Sequence, residues 1–467
     1  MVARASNSAS PVGSKNGLRS PRRVVVCGGG VAGVEAVLAL RALLDLGVDL
    51  HLVAPNRKFV YQPLAVAAPF ELAETQLFDL AELARDQGAK LHVDSLESVE
   101  PERKRVRLTS GATLPYDSLI VAVGARRRDW LKGALHFSGA ASVTAFRALL
   151  ERLERGADER MCFVNPAGIS WTLPLYELAL LTASRLAERG LAGVELTVVT
   201  PEEDPLAVFG PAASRMLRGL LADRGIALRA GAYAKKIEGG KLHVHPAATL
   251  QVDQVVTLAQ LEGPDLSGLA SDASGFVVVD EHSRVAGLED VYAAGDGTTF
   301  PVKQGGIATQ QADAAAEAIA ARMDAAVKAS PMRPTLRGML LTGIAPTYLR
   351  AQIAGRAGDR FDTAANPLWW PPSKIAGRYL APYLVANNPL NRGETLKDRP
   401  PLTRDSATLE QSHQEARELA LTFADRDAAD HHFKSALQWL EVLERLDGVL
   451  PSGYLQKKAV WQGRAGE

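Results

Sequence analysis

The residues best placed to do chemistry begin near the N-terminus. Gly28-Gly29-Gly30-Val31-Ala32-Gly33 follows a short apolar run at 23–27 and opens an Ala/Val/Leu-rich segment that reads as a helix over 31–46. A G-x-G-x-x-G turn between a strand and a helix suits a dinucleotide pyrophosphate. Gly28 permits the tight turn, Gly30 lets backbone approach the phosphates, and Gly33 lets helix and strand pack closely. Val31 and Ala32 start the helix, whose N-terminus favours the anion. The next strand, 48–53, runs into Ala54-Pro55-Asn56, with Ala where an acid usually meets the ribose. Asn56 is the candidate for a neutral hydrogen bond in its place, with a turn-shaping role as the alternative.

Thiol and metal chemistry find little support. The only cysteines, Cys27 and Cys162, sit singly in apolar runs and form no C-x-x-C pair. Such cysteines read as buried small hydrophobes. Two cysteines make no disulfide framework and suit a reducing, cytoplasmic compartment. The histidines, including His431-His432, lack metal-ligand spacing, so no metal is expected. Lys+Arg and Asp+Glu both total 53, which removes the basic excess expected of a nucleic-acid binder. No run approaches about 18 consecutive apolar residues, so no transmembrane helix is expected.

An α/β arrangement must position these groups. Residues 23–53 form a strand–helix–strand unit, and a second unit follows with a strand at 161–164, a helix over 174–188 and a strand at 194–199. Shorter β-like runs lie at 241–244, 254–258 and 276–279. A strand at 291–294 leads through a Gly-rich turn to an Ala-rich helix over 310–329. The expected fold is two Rossmann-like domains, each a three-layer ββα nucleotide-binding unit, the second inserted in the first, plus a C-terminal helical region. The boundaries are a tail at 1–20, a discontinuous first domain at 21–140 and 260–330, a degenerate second domain at 141–259, an interface region at 331–404 and helices at 405–467. In the interface region, aromatic and proline residues cluster at 368–372 and 379–384. They suit a quinone channel, a lipid interface or a loop packed on the first domain. The final helices, about 406–426 and 430–446, place Phe433, Leu437, Leu440, Leu443 and Leu446 at helical spacing, as a packed pair would.

Two further segments select the dinucleotide. Residues 114–125 are a strand closing on Gly124-Ala125, and residues 290–297 are a strand closing on Gly295-Asp296. With the first loop, they resemble the three FAD-contacting segments of the two-dinucleotide-binding-domain flavoproteins, over residues 23–329. Tyr61-Gln62-Pro63-Leu64 and Lys303-Gln304-Gly305-Gly306 resemble the branch of sulfide:quinone oxidoreductases and type II NADH dehydrogenases. The resemblance implies non-covalent FAD. It places Gly124 and Ala125 along the cofactor, Asp296 on the ribityl chain and Lys303, Gln304, Gly305 and Gly306 near the isoalloxazine. Lys303 would stabilise the reduced flavin's charge. Glu177, at the start of the second domain's helix, would carry protons between flavin or quinone and solvent. The plainer alternatives are a helix cap for Asp296, a solvated cation for Lys303 and a helix-dipole contact for Glu177.

The sequence also departs from that branch. The second nucleotide turn reads Asn165-Pro166-Ala167-Gly168-Ile169-Ser170-Trp171-Thr172-Leu173-Pro174. Trp171 obstructs a pyrophosphate, and Pro166 and Pro174 remove N–H donors. The acidic stretch at 201–205 therefore reads as a turn. No cysteine occupies the family's redox positions, which fall near Trp171 and Leu341-Thr342-Gly343. The expected activity is that of an FAD-dependent oxidoreductase without a redox disulfide, passing electrons from an unidentified donor to a quinone-like acceptor. The alternatives are an NAD(P)H:quinone reductase with an atypical nicotinamide site and a flavin-binding partner protein without turnover. The quinone-using relatives dock on membranes, which implies a peripheral position on the inner face. Homodimerisation stays open.

Overall fold

The fold is that of a computed structural model. It describes residues 21–465 except 45–46, 247, 353–359, 370, 388–420 and scattered positions between 422 and 449. The expected tail at 1–20, the end of the interface region from 388, most of the helix at 406–426, and Trp370, His432 and Leu446 lie outside the described residues.

The apolar run Arg22–Cys27 is the central strand of a five-stranded sheet. Across the sheet the order is Val291–Ala293, Ser118–Val121, Arg22–Cys27, Val48–Ala54 and Lys90–Val93, and every pairing is parallel. Val24, Val25, Val26 and Cys27 have no exposed surface, as a strand covered on both faces requires. One face packs against the helices Val31–Leu44 and Gly305–Arg322, whose small side chains (Ala36, Ala312, Ala315, Ala316) share one core. The other face packs against a small antiparallel sheet of Leu96–Glu100, Arg105–Leu108 and Thr113–Pro115. This is the three-layer arrangement expected from the sequence.

A second parallel sheet repeats the plan. Its order is Leu135–Phe137, Gln254–Leu258, Arg160–Val164, Glu195–Val199 and Ile226–Arg229. The helix Leu173–Glu188 packs on it within a large apolar core. The chain leaves the first sheet after Ser118–Val121 and rejoins it at Val291–Ala293. The two crossings pair with each other, Arg126–Arg128 antiparallel to Gln260–Glu262.

Three elements differ from expectation. The helix expected over 310–329 runs Gly305–Arg322, because the Gln304 side chain accepts the Ile307 N–H at 3.0 Å and caps it earlier. Residues 276–279 form isolated bridges of Val277 to Ser271 and Thr298, and of Val279 to Val285, not a regular strand. The region after 331 contains an unforeseen antiparallel sheet of Thr335–Leu340, Thr347–Gln352 and Arg360–Ala364. Leu336, Leu340, Leu349 and Ala351 of this sheet join the core of the second domain.

The described aromatic residues beyond this sheet face inward. Trp369 meets Tyr348 edge-on at 5.3 Å, and Tyr379, Leu380, Tyr383 and Leu384 are buried in the core of the first sheet and its helices. Residues 379–384 thus pack on the first domain, whereas Trp369 packs on the C-terminal sheet. Phe433, Leu437, Leu440 and Leu443 form a separate cluster with Trp439 and Trp461, the latter on an unforeseen helix, Ser452–Ala465.

Candidate functional site

A groove of about 560 Å³ opens at the C-terminal edge of the first sheet. Its floor explains each glycine separately. A Cβ on Gly28, whose φ is 130°, would lie 2.1 Å from the Ala122 carbonyl oxygen, and one on Gly33 would lie 1.8 Å from the Gly28 oxygen. These two glycines permit backbone to touch backbone. A Cβ on Gly30 would meet nothing within 4 Å and would project into open space, the cradle a pyrophosphate needs. Val31, Ala32, Asn56, Gly124, Gly295, Asp296 and Gly305 line the same groove. Gly295 is fixed by its N–H donating to Gln311 Oε1 at 2.8 Å. Ala125 and Gly306 lie beside the lining, and Gly33 lies beneath it. The donor set and the open cradle fit FAD, with Asp296 at the end that meets the second cavity.

That second cavity, of about 1060 Å³, shares Gln62, Pro63, Arg127, Asp296, Gly305 and Ile375 with the groove. Lys303 lines it, half-buried. Its ammonium donates to the Thr298 carbonyl and lies 3.9 Å from the centre of the Phe276 ring, so it is not a solvated loop cation. Burial draws Lys303 down to about 8, against the pull of Asp296 and Asp272. Burial pushes Asp296 up, opposed by Lys303 and Arg127. The Lys303 charge is therefore present below about pH 8 and lost above it. Lys303→Met is expected to lower the midpoint potential of the bound flavin by roughly 30–60 mV at pH 7 and by less at pH 9, as read by potentiometric titration.

Glu177 lies in the first half of the helix Leu173–Glu188 with 1% of its surface exposed. Its Oε1 accepts the Leu341 N–H at 2.8 Å and an N–H of the Lys374 ammonium, so its side chain serves this pair and not the helix dipole. Burial pushes Glu177 up and Lys374 down, against their mutual attraction. Lys374 was not foreseen. It stands between a proline pair and Gly377 in a stretch without periodicity, and its partner is 197 residues away. Ile375, which lines both cavities, and Arg127, at their junction, were missed for the same reason.

The second nucleotide turn, from Ala167 to Trp171, borders the larger cavity and carries one glycine, Gly168. Trp171 lines the larger cavity and packs edge-on to Phe209 at 5.8 Å. Glu202, after the strand Glu195–Val199, accepts the Tyr176 hydroxyl at 2.5 Å and the Leu206 N–H at 3.0 Å. Its carboxylate is engaged within the turn that the sequence reading placed there. Cys27 and Cys162 are buried, and burial pushes both thiols up to about 12, far from thiolate chemistry. Among the described residues, no group of His, Cys, Asp and Glu could hold a metal ion, and no helix is long and apolar enough to cross a membrane.

Two parallel sheets, the second threaded between strands of the first, with a phosphate loop and a Gly-Asp turn meeting in one groove, define a flavoprotein-type oxidoreductase. The family model for pyridine nucleotide-disulphide oxidoreductases matches residues 22–321, and the chain belongs to that family. It is 26% identical over 308 residues to the sulfide-quinone reductase of Aquifex aeolicus, covering 60% of this chain and 69% of that one. It is 25% identical over 322 residues to the benzene 1,2-dioxygenase system ferredoxin–NAD(+) reductase subunit of Pseudomonas putida (63% and 74%). It is 24% identical over 330 residues to the alternative NAD(P)H-ubiquinone oxidoreductase C1 of Arabidopsis thaliana (61% and 63%). The crystal structure of the sulfide:quinone oxidoreductase of Aquifex aeolicus shares the fold, with a TM-score of 0.68 at 21% identity, covering 74% of this chain and 87% of that one. The chain is an FAD-dependent oxidoreductase.

Proposed function

We propose that the protein reduces a quinone-like acceptor in the larger cavity, with electrons taken from a donor that is not a conventionally bound nicotinamide. The observation that carries this reading is the buried Lys374–Glu177 pair in the lining of the larger cavity, next to Ile375 at its junction with the groove. FAD, when bound, supplies the two-electron chemistry. Reducing a quinone to a quinol also consumes two protons, so the protein must hold a proton near the acceptor. Burial raises the carboxyl and lowers the ammonium, which narrows the gap between them and allows a proton to move from Nζ to Oε1 and back. Lys303 contributes positive charge below about pH 8. Trp171 and Ile375 contribute apolar surface that excludes water.

Two of the relatives, a sulfide-quinone reductase and an NAD(P)H-ubiquinone oxidoreductase, support a quinone acceptor. The second turn, with Pro166, Trp171 and Pro174 in place of a glycine loop, argues against a nicotinamide bound in the usual way, and the buried thiols argue against a cysteine route. A membrane quinone would place the protein peripherally on the cytoplasmic face.

Anaerobic stopped-flow mixing tests this. The oxidised flavin band is expected to persist with NADH and NADPH. Protein reduced by dithionite is expected to be reoxidised by a short-chain ubiquinone, at a rate that saturates with quinone. Rapid bleaching by a nicotinamide would overturn the donor side. Reoxidation no faster than in quinone-free buffer would overturn the acceptor side.

A further inference from the structure

We propose that Glu35 is a positioning residue. It clamps the backbone of the segment that carries Lys374 and so holds the ammonium against Glu177, an inference that rests on the proton route above. Glu35 lies two residues beyond Gly33 in the helix Val31–Leu44 and has no exposed surface. It does not line the cofactor groove, although it belongs to the helix that opens it. Its Oε1 accepts the Tyr379 N–H at 2.9 Å, and its Oε2 accepts the Leu380 N–H at 2.6 Å.

The segment is fitted to this clamp. A Cβ on Gly377 would lie 2.7 Å from Glu35 Oε2 and 3.0 Å from Thr309 Cγ2, so backbone alone passes there. On the near side, the Ile375 N–H donates to the Tyr61 hydroxyl at 3.1 Å. The Ile375 side chain occupies the space a Cβ on Gly305 would need, 2.6 Å from its Cδ1. Lys374 adjoins the Tyr61 anchor and lies five residues before the Glu35 anchor. An apolar side chain at position 35 would fill the core with less desolvation cost. What the carboxylate adds is a fixed position for the backbone donors of Arg378, Tyr379 and Leu380.

The charged groups around the clamp come from three directions. Asp313, on the helix Gly305–Arg322, hydrogen-bonds to Glu35. Arg378 pairs with Glu317 at 3.5 Å and with the buried Asp427 at 3.2 Å, and lies over the Tyr379 ring at 5.4 Å. Burial pushes Glu35 up to about 7 and Asp313 well above the usual carboxylate range. A protonated Asp313 would donate to Glu35 and leave it able to accept the backbone N–H groups.

The test uses holoprotein and two readouts, amide hydrogen exchange of the segment and a pH titration of the oxidised flavin spectrum. Glu35→Gln replaces one acceptor oxygen with a donor. With FAD content unchanged, peptides covering 373–377 are expected to exchange about tenfold faster. The midpoint of the spectral titration is expected to move by about one pH unit. Faster exchange confined to 378–382, with the spectral midpoint unmoved, would overturn the proposal, since a merely structural clamp would behave so. If Glu35→Gln yields no holoprotein, Asp313→Leu removes the donor to Glu35 and is expected to shift both readouts in the same direction. No shift in either would overturn the proposal. Lys374→Gln separates the two readings. If it leaves the spectral titration intact, the proton route fails, and the exchange data alone decide the clamp.

Discussion

A Gly30→Val protein folds with the stability of the wild-type apoprotein and retains no FAD. The Cβ at position 30 points into open space and the backbone there needs no left-handed conformation, so the fold has nothing to lose. Its thermal midpoint without cofactor should match wild type within about 2 °C, as for an exposed substitution. The valine fills the cradle that the pyrophosphate needs, and FAD affinity should fall on the order of 10³-fold, read by equilibrium dialysis. Gly33→Ala is expected to behave in the opposite sense. Its methyl meets a backbone oxygen at 1.8 Å, so the helix must move and the apoprotein itself is destabilised by roughly 1–3 kcal/mol. Unchanged FAD affinity in Gly30→Val would show that the groove is not where the cofactor lies.

The second large effect is expected at Lys374. Lys374→Met keeps the volume and removes the charge that pairs with buried Glu177. Breaking one side of a buried pair costs about 3–5 kcal/mol. The cost depends on pH in a definite direction. Burial already holds the Glu177 carboxyl above its ordinary value, and without Lys374 it rises further. A carboxyl raised in the folded state costs stability from the pH at which it ionises in the unfolded chain, and the loss grows until it ionises in the folded one. The variant should approach wild-type stability near and below pH about 4.3 and lose ground as pH climbs toward the folded value. Quinone-dependent reoxidation should slow by roughly 10²–10⁴-fold, the usual worth of a positioned proton donor. Adding Glu177→Gln should restore stability without restoring rate. A Lys374→Met protein with wild-type kinetics would remove the pair from the chemistry.

Much of this molecule was legible before any coordinates. The three candidate FAD segments are local in sequence and each carries its own physical signature: a glycine turn after an apolar run, then two strands closing on Gly-Ala and Gly-Asp. Parallel strands covered on both faces read as unbroken apolar runs, which made 23–27 and 161–164 plain. The C-terminal sheet was not legible. Thr335–Leu340 carries Arg337 and Gly338 at its centre, and Gly338 is there because a Cβ would strike Phe209 and Leu173, elements far upstream. Lys374 and Glu35 were illegible for a related reason. Their roles depend on which distant surfaces meet, and neither residue type nor local spacing records that.

The order of synthesis gives the clamped segment one more consequence. Its partners are Tyr61, Glu177 and Glu35, separated from it by 314, 197 and 344 residues. The first sheet, by contrast, receives its last strand at Val291–Ala293. On a ribosome, the nucleotide-binding half can therefore close, and take up its cofactor, while the lysine that completes the site is still to be made. The proposed proton partner arrives last, after the strands that frame the cofactor groove. A nascent chain arrested before residue 374 would be a yellow protein without a proton partner for its flavin.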